Sequence, residues 1–227
     1  MRVAGLGTRA YPYTHDVTAI EAVTLATLKL HLRISGTSQD TVLQLYLDAA
    51  ISYAQECTGL TLGLVNYTTY RDYFPIEDNE GYYPFGLIPE TFNADGGNTG
   101  FELTRSPIGT ITSIEYEPLS ALGTLVTIAA SNYYLVNAEA GKFGKVLAKP
   151  EYDWPNDLVN PRVNSIKIIF TAGYASTALI PADIRTAILL HAANLFANRG
   201  DCGTCTNKAG APVTSMAIYA KHRVIRL

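Results

Sequence analysis

The chain has 227 residues, of which 48% are apolar and 16% are charged, with a formal net charge of −3 at pH 7. This length allows one large or two small domains with buried cores, and the mild acidity argues against a general nucleic-acid-binding protein. No stretch approaches the roughly 18 consecutive apolar residues of a membrane span. Residues 1–17 lack the apolar segment of a secretory signal. We therefore expect a protein that is made in the cytosol.

The charge is distributed unevenly along the chain. Residues 1–141 hold six Lys or Arg and 15 Asp or Glu, a net of −9, whereas residues 142–227 hold 11 and five, a net of +6. Charge separation of this kind suits a protein that binds copies of itself or a charged partner. The alternative is that the two parts neutralise each other within one fold.

The first 60 residues are predicted to form an arm followed by two helices. Residues 1–23 show no clear period, and Thr24 can cap a helix that continues to Ile34. Asp40 can cap a longer second helix, for which Gly59 is well placed as the C-cap. The apolar residues of the second helix repeat at three and four: Val42, Leu45, Tyr46, Ala49, Tyr53 and Cys57. We expect this face to pack against the rest of the protein.

From residue 61 the period changes to that of short strands. Six segments are strand candidates: residues 66–74, 111–117, 124–128, 132–136, 145–148 and 165–174. Short strands with polar turns between them predict an antiparallel sheet, sandwich or barrel. The run from Asp72 to Glu102 holds seven acids and no Lys or Arg, and most of it reads as a solvated loop. Its acidic and aromatic side chains also make it a candidate contact loop.

The helical period returns at Pro181, which suits the first residue of a helix. One apolar stripe follows it: Ile184, Ile188, Ala192, Leu195 and Phe196. Residues 213–221 are predicted to form a short fourth helix. Because helices with apolar stripes must pack on something, we expect the N- and C-terminal helices to meet. The predicted class is α+β, with a helical domain of residues 24–60 and 179–220 and an inserted antiparallel β-rich domain at residues 61–178.

Catalytic signatures are missing from the sequence, so we expect a protein that is not an enzyme and has no cofactor. No nucleophile elbow, P-loop, zinc-hydrolase pair or paired-carboxylate signature occurs, and His191 fits a packing or interface role. Cys202 and Cys205 form a C-x-x-C, but they follow a helix instead of opening one, as a thioredoxin-like pair does. A structural zinc site needs four ligands, and Cys57 is the one further cysteine. We expect no metal site there.

Two alternatives in other functional classes stay open. A thiol- or zinc-dependent protein would use Cys202 and Cys205. A carbohydrate-binding β module would use the aromatic side chains, since the chain has 15 tyrosines.

The last seven residues combine basic and apolar side chains: Lys221, His222, Arg223, Val224, Ile225, Arg226 and Leu227. A short segment of this kind can add as a strand to the edge of a partner's sheet. The alternative is a frayed terminus, which rarely needs three large apolar residues together. We predict that residues 221–227 form a docking tail.

Taken in order, several segments resemble the head–tail connector (adaptor) proteins of long-tailed bacteriophages and related gene-transfer particles. They are VTLATLKLHLRI at residues 23–34, YAQECTGLTL at 53–62, LTRSPIGTITSIEYE at 103–117, FTAGY at 170–174, IPADIRTAILLHAANLFANR at 180–199, and the final HRVIRL. No single segment is diagnostic, but the ordered set spans residues 23–227.

The resemblance implies a structural virion protein of the neck, at the portal vertex of the capsid, assembled in the host cytoplasm without a membrane. About twelve copies would form a ring below the portal protein, extend the DNA channel and provide the platform for the stopper and tail. Residues 221–227 would dock on the portal protein. Genome DNA would pass without sequence-specific binding, so we expect a neutral-to-acidic lumen. Candidates for an acidic lining of the lumen or rim are Glu77, Asp78, Glu80, Glu90 and Asp95.

Overall fold

The structure is a computed structural model, and it describes residues 14–17, 21–72, 74, 100–155, 164–198 and 211–224. The helices in these ranges are α1 (Leu25–Leu32), α2 (Asp40–Thr58), α3 (Ala182–Ala197) and α4 (Val213–Lys221). The strands are β1 (Thr14–Val17), β2 (Val65–Arg71), β3 (Gly100–Leu103), β4 (Ile108–Tyr116), β5 (Val126–Thr127), β6 (Tyr133–Val136), β7 (Gly144–Ala148) and β8 (Ile166–Ala172). The predicted α+β class, in which N- and C-terminal helices enclose an inserted β-rich region, is confirmed.

The N-terminal helices begin and end close to their predicted positions. The backbone N–H of Thr27 donates to the Oγ1 of Thr24 at 3.2 Å, which is the predicted cap of α1. Gly59 closes α2 in the left-handed conformation, with φ of 72°, as a C-cap glycine does. None of the helices in the described ranges has the length and apolar character of a transmembrane span.

Two predicted helix starts are wrong by one position. Asp40 does not cap α2: Gln39 occupies the N-cap position, and Asp40 is the first helical residue. Its carboxylate instead accepts a hydrogen bond from the Nζ of Lys29 at 2.7 Å, and its charge favours the helix N-terminus. Likewise, Pro181 takes the N-cap position of α3, which begins at Ala182.

The helices enclose one core in which α3 contacts each of the other three helices. The predicted stripe of α3 is buried at Ile184, Ile188 and Ala192. On α2, however, only the C-terminal part of the predicted apolar face, Tyr53 and Cys57, packs against the core. The buried residues of α2 are Leu43, Leu47, Ala50, Ala54 and Thr58. Val42 and Leu45 of the predicted face are exposed instead, so α2 carries apolar side chains on two sides.

The strands form two antiparallel sheets, with orders β1–β2–β8–β4–β5 and β3–β7–β6. β8 lies at the centre of the larger sheet, and its side chains alternate between buried and partly buried. Ile166, Ile168 and Phe170 are fully buried there, and the Phe170 ring stacks on that of Tyr67 at 5.7 Å. This alternation is the pattern of a strand with one face in a core. The β core is thus separate from the helical one.

Two strands were not predicted from the sequence. β1 lies within the expected N-terminal arm and pairs with β2 from Thr14↔Thr68 to Val17↔Val65. β3 lies at the end of the expected acidic loop and pairs with β7. Both are four residues long, and β3 is buried at Gly100, Phe101 and Leu103 instead of at alternate positions.

The two cores meet where the backbone passes from helix to sheet. The N–H of Thr61 donates to the carbonyl of Ser106 at 2.7 Å, and the N–H of Gly173 donates to that of Pro107 at 2.8 Å. Gly173 has φ of +106°, and a Cβ there would overlap the carbonyl oxygen of Gly63. Only glycine combines this backbone conformation with so close an approach.

Candidate protein-interaction site

The predicted docking tail starts inside the helical core. The backbone N–H of Val224 donates to the carbonyl of Thr58 at 2.7 Å. Val224 is only 8% exposed, and its Cβ lies 3.5 Å from the position that a Cβ on Gly59 would take. Ile225, Arg226 and Leu227 lie outside the described residues. The docking role of residues 221–227 stays a prediction, and Val224 is the fixed point from which such a tail would depart.

The charged residues at the start of the tail are bound to the N-terminus of α3. The Oδ2 of Asp183 lies 2.7 Å from the Nε2 of His222 and 3.1 Å from the Nζ of Lys221. Its Oδ1 accepts a hydrogen bond from the backbone N–H of Ile184 at 3.0 Å. The hydrogen bond with His222, with a smaller contribution from Lys221, lowers the pKa of Asp183 to about 2. This cluster holds the end of α4 against the beginning of α3.

Replacing Asp183 with asparagine is expected to lower the free energy of unfolding by about 1 kcal/mol at pH 7, after allowance for solvent screening. Because folding depresses the pKa of Asp183, its stabilisation is present above the unfolded value. It is lost as pH falls from 3.8 towards about 2. Urea unfolding of both proteins between pH 7 and pH 2 measures the difference.

The control for this prediction is Glu139→Gln, which breaks the ion pair with Lys142 between two side chains that are more than half exposed. It is expected to leave stability unchanged. A difference between wild type and Asp183→Asn that does not depend on pH would contradict the assigned role of the carboxylate.

His191 is a packing residue, as expected. It is 4% exposed, and its ring meets that of Tyr53 edge-on at a centroid distance of 5.0 Å. Its Nδ1 has no hydrogen-bond partner among the described residues, and burial lowers the pKa of His191. The neutral imidazole therefore fills space between α2 and α3.

The remaining predicted site residues, apart from Cys57, lie outside the described residues. They are Cys202, Cys205, Glu77, Asp78, Glu80, Glu90 and Asp95. Cys57 is partly buried at the edge of the helical core. Within the described ranges, no group of three or more His, Cys, Asp or Glu side chains could hold a metal ion.

Exposed apolar surfaces are the feature that sequence reasoning missed. One lies on the outer side of α2, where Leu45 is 65% exposed, and another on α4, where Val213 is 85% exposed. A third is the turn after β4, with Leu119, Leu122 and Leu125 exposed. Apolar patches on a protein surface are typical of binding sites. On α2 the sequence did contain a signal for the exposed surface, namely the periodic apolar residues, but they were assigned to the side that packs in the core.

A family model matches the segment of the chain that holds α1, α2 and β2. Residues 22–89 match the family of phage gp6-like head-tail connector proteins. The resemblance to head–tail connectors inferred from the sequence is confirmed. The matched segment contains the outer side of α2 and the Thr58–Gly59 end to which Val224 is bound. No curated protein matches the chain.

Solved structures share the fold over nearly the whole chain. A chain in the virion of a native gene transfer agent (GTA) particle has a TM-score of 0.61 at 21% identity, covering 95% of this chain and 96% of that one. Chains in the neck of the empty particle, computed with C6 symmetry, and of the native particle, computed with C12 symmetry, have TM-scores of 0.62 and 0.60 at 21% and 23% identity. These two cover 94% and 93% of this chain and 97% and 94% of theirs. At such identities the likeness to these chains concerns the fold.

Proposed function

We propose that this protein is a structural head–tail connector in the neck of a phage or gene-transfer particle, assembled in the host cytoplasm. The observation that carries the proposal is the match of residues 22–89 to the head–tail connector family. The fold shared with chains of GTA virion and neck structures supports it. About twelve copies form a ring below the portal protein, extend the DNA channel and offer a platform to the stopper. The role is structural and not catalytic.

In this proposal the tail after Val224 reaches the portal protein. The hydrogen bond between Val224 and Thr58 fixes the start of the tail on the helical core. Ile225, Arg226 and Leu227 then supply alternating apolar and basic side chains. An extended segment of this kind adds to a sheet edge through backbone hydrogen bonds, while its side chains give specificity.

The test is assembly of the purified chain with the portal protein of the same particle. We expect a ring of about twelve copies bound to the portal, seen by electron microscopy and by sedimentation. Deleting residues 225–227 is expected to weaken portal binding at least about tenfold. The thermal unfolding temperature should not change, because the deletion leaves the bond between Val224 and Thr58 in place.

Lys142→Ala is the matched control, because it removes one positive charge from an exposed side chain outside the tail. It should bind the portal like wild type. Normal docking by the truncated chain would exclude the tail assignment. Failure of the wild-type chain to bind any portal would exclude the connector function.

A further inference from the structure

The outer side of α4 is an apolar stripe next to a basic helix end. The exposed residues at helical spacing are Val213, Met216, Ala217 and Ala220. The opposite side of α4 is held by the core, where Tyr219 is buried and the Oγ of Ser215 donates to the carbonyl of Ala187 at 3.0 Å. Arg223 follows the stripe and is exposed, and the side chain of Lys221, although paired with Asp183, is 71% exposed. No acidic residue occurs between Pro212 and Leu227.

The outer side of α2 is an apolar stripe flanked by acids. Leu45 is 65% exposed and Val42 43%, and Ala49 is exposed one turn beyond Leu45. Asp48 and Glu56 are exposed on the same side, because residues three, four and seven positions apart share a helix face. α2 contains no Lys or Arg. Its outer face is therefore apolar and negative, whereas that of α4 is apolar and positive.

Neither face is covered by the residues that the structure describes. The inner sides of both helices pack in the one helical core, where α3 contacts α2 and α4. α2 and α4 meet each other through inner residues near their C-terminal ends, such as Tyr53 with Tyr219, whose ring centroids lie 6.2 Å apart. A single copy therefore cannot bring the two outer faces together. The complementary charges make a second copy of this chain the fitting occupant.

We infer that the outer face of α4 packs on the outer face of α2 of the neighbouring copy in the ring. This inference rests on the proposed connector function and names the contact that closes the ring. The two faces differ, so the contact is heterologous: each copy offers one α2 face and one α4 face, and repetition of the contact closes a ring. Apolar residues form the centre of the contact, and the charges at its edge set the orientation.

The test uses two variants that each damage one face, Leu45→Glu and Met216→Glu. A glutamate in the apolar centre of the contact has no partner and is costly to bury. We expect each variant alone to need a concentration about 100-fold higher than wild type to assemble. Both positions are exposed, so the thermal unfolding temperature should stay within a few degrees of wild type. Sedimentation velocity and mass photometry measure the assembly state.

Mixing the two variants provides the decisive measurement. The Leu45→Glu copy keeps an intact α4 face, and the Met216→Glu copy keeps an intact α2 face. The mixture should therefore form one-to-one pairs that cannot grow, since the two remaining faces both carry an added glutamate. The control Leu30→Glu alters a leucine of α1 that is 80% exposed and should form rings like wild type.

The outcomes separate this contact from the connector function. Ring formation by either single variant, or a mixture that gives no pairs, would overturn the α2–α4 contact. The connector function would stand in those cases if the wild-type chain forms rings on the portal protein. Single variants that bind the portal through their tails without completing a ring would support both.

Discussion

Replacing Gly173 with alanine is expected to lower the free energy of unfolding by about 3–5 kcal/mol. Gly173 has φ of +106°, which an L side chain rarely adopts, and a Cβ there would overlap the backbone of Gly63. The obstacle is a carbonyl group and not the end of a flexible side chain, so the two backbones must move apart. That movement also stretches the hydrogen bond from Gly173 to Pro107. Denaturant unfolding of the two proteins measures the loss.

Gly123→Ala is the matched control for this prediction. Gly123 also has a positive φ, +79°, but apart from its chain neighbours no atom of the described residues lies within 4 Å of a Cβ at that position. Its substitution should cost only the backbone strain of a left-handed residue, roughly 1–2 kcal/mol. If both variants lost the same free energy of unfolding, the close approach of the backbones at Gly173 would add nothing to the cost of the substitution.

Leu47→Ala is expected to destabilise the protein by about 2–5 kcal/mol. Leu47 is fully buried in the helical core, where α2 packs on α3. Truncation removes apolar burial and leaves a cavity that the neighbouring helices fill only in part. The unfolding midpoint in guanidinium chloride, with an unchanged slope, gives the size of the effect.

The control lies two residues earlier on the same helix. Leu45→Ala removes the same atoms from a side chain that is 65% exposed, so its effect should stay within about 0.5 kcal/mol. If Leu45→Ala destabilised the isolated chain as much as Leu47→Ala, the assignment of inner and outer sides of α2 would be wrong.

The periodicity of apolar residues could not show which side of α2 is buried. The set Val42, Leu45, Ala49 and the set Leu43, Leu47, Ala50 both repeat at three and four, and the two are offset by one or two residues. A pattern of this kind locates a helix but does not say which of two apolar sides meets the core. On α3 the predicted stripe at Ile184, Ile188 and Ala192 matches the buried side of the helix.

Helix ends could be predicted from the local sequence, whereas contacts between distant parts of the chain could not. Thr24 and Gly59 act on neighbouring backbone groups, so the sequence around them is sufficient. The pairing of β1 with β2 and the bond between Val224 and Thr58 join distant parts of the chain. Such contacts depend on the packed fold, and no short motif encodes them. The same reason explains why the exposed surface on α4 became visible only in three dimensions.

The first and last strands of the inserted β region, β2 and β8, are neighbours in the larger sheet. Val65, the first residue of β2, is paired in register with Ala172, the last residue of β8. The chain therefore leaves the helical core and returns to it at neighbouring points. A short linker could join these two points, and closing such a short loop has a small cost in conformational entropy. We therefore expect insertions or deletions at the ends of the strands far from Val65 and Ala172 to leave the spacing of α2 and α3 unchanged.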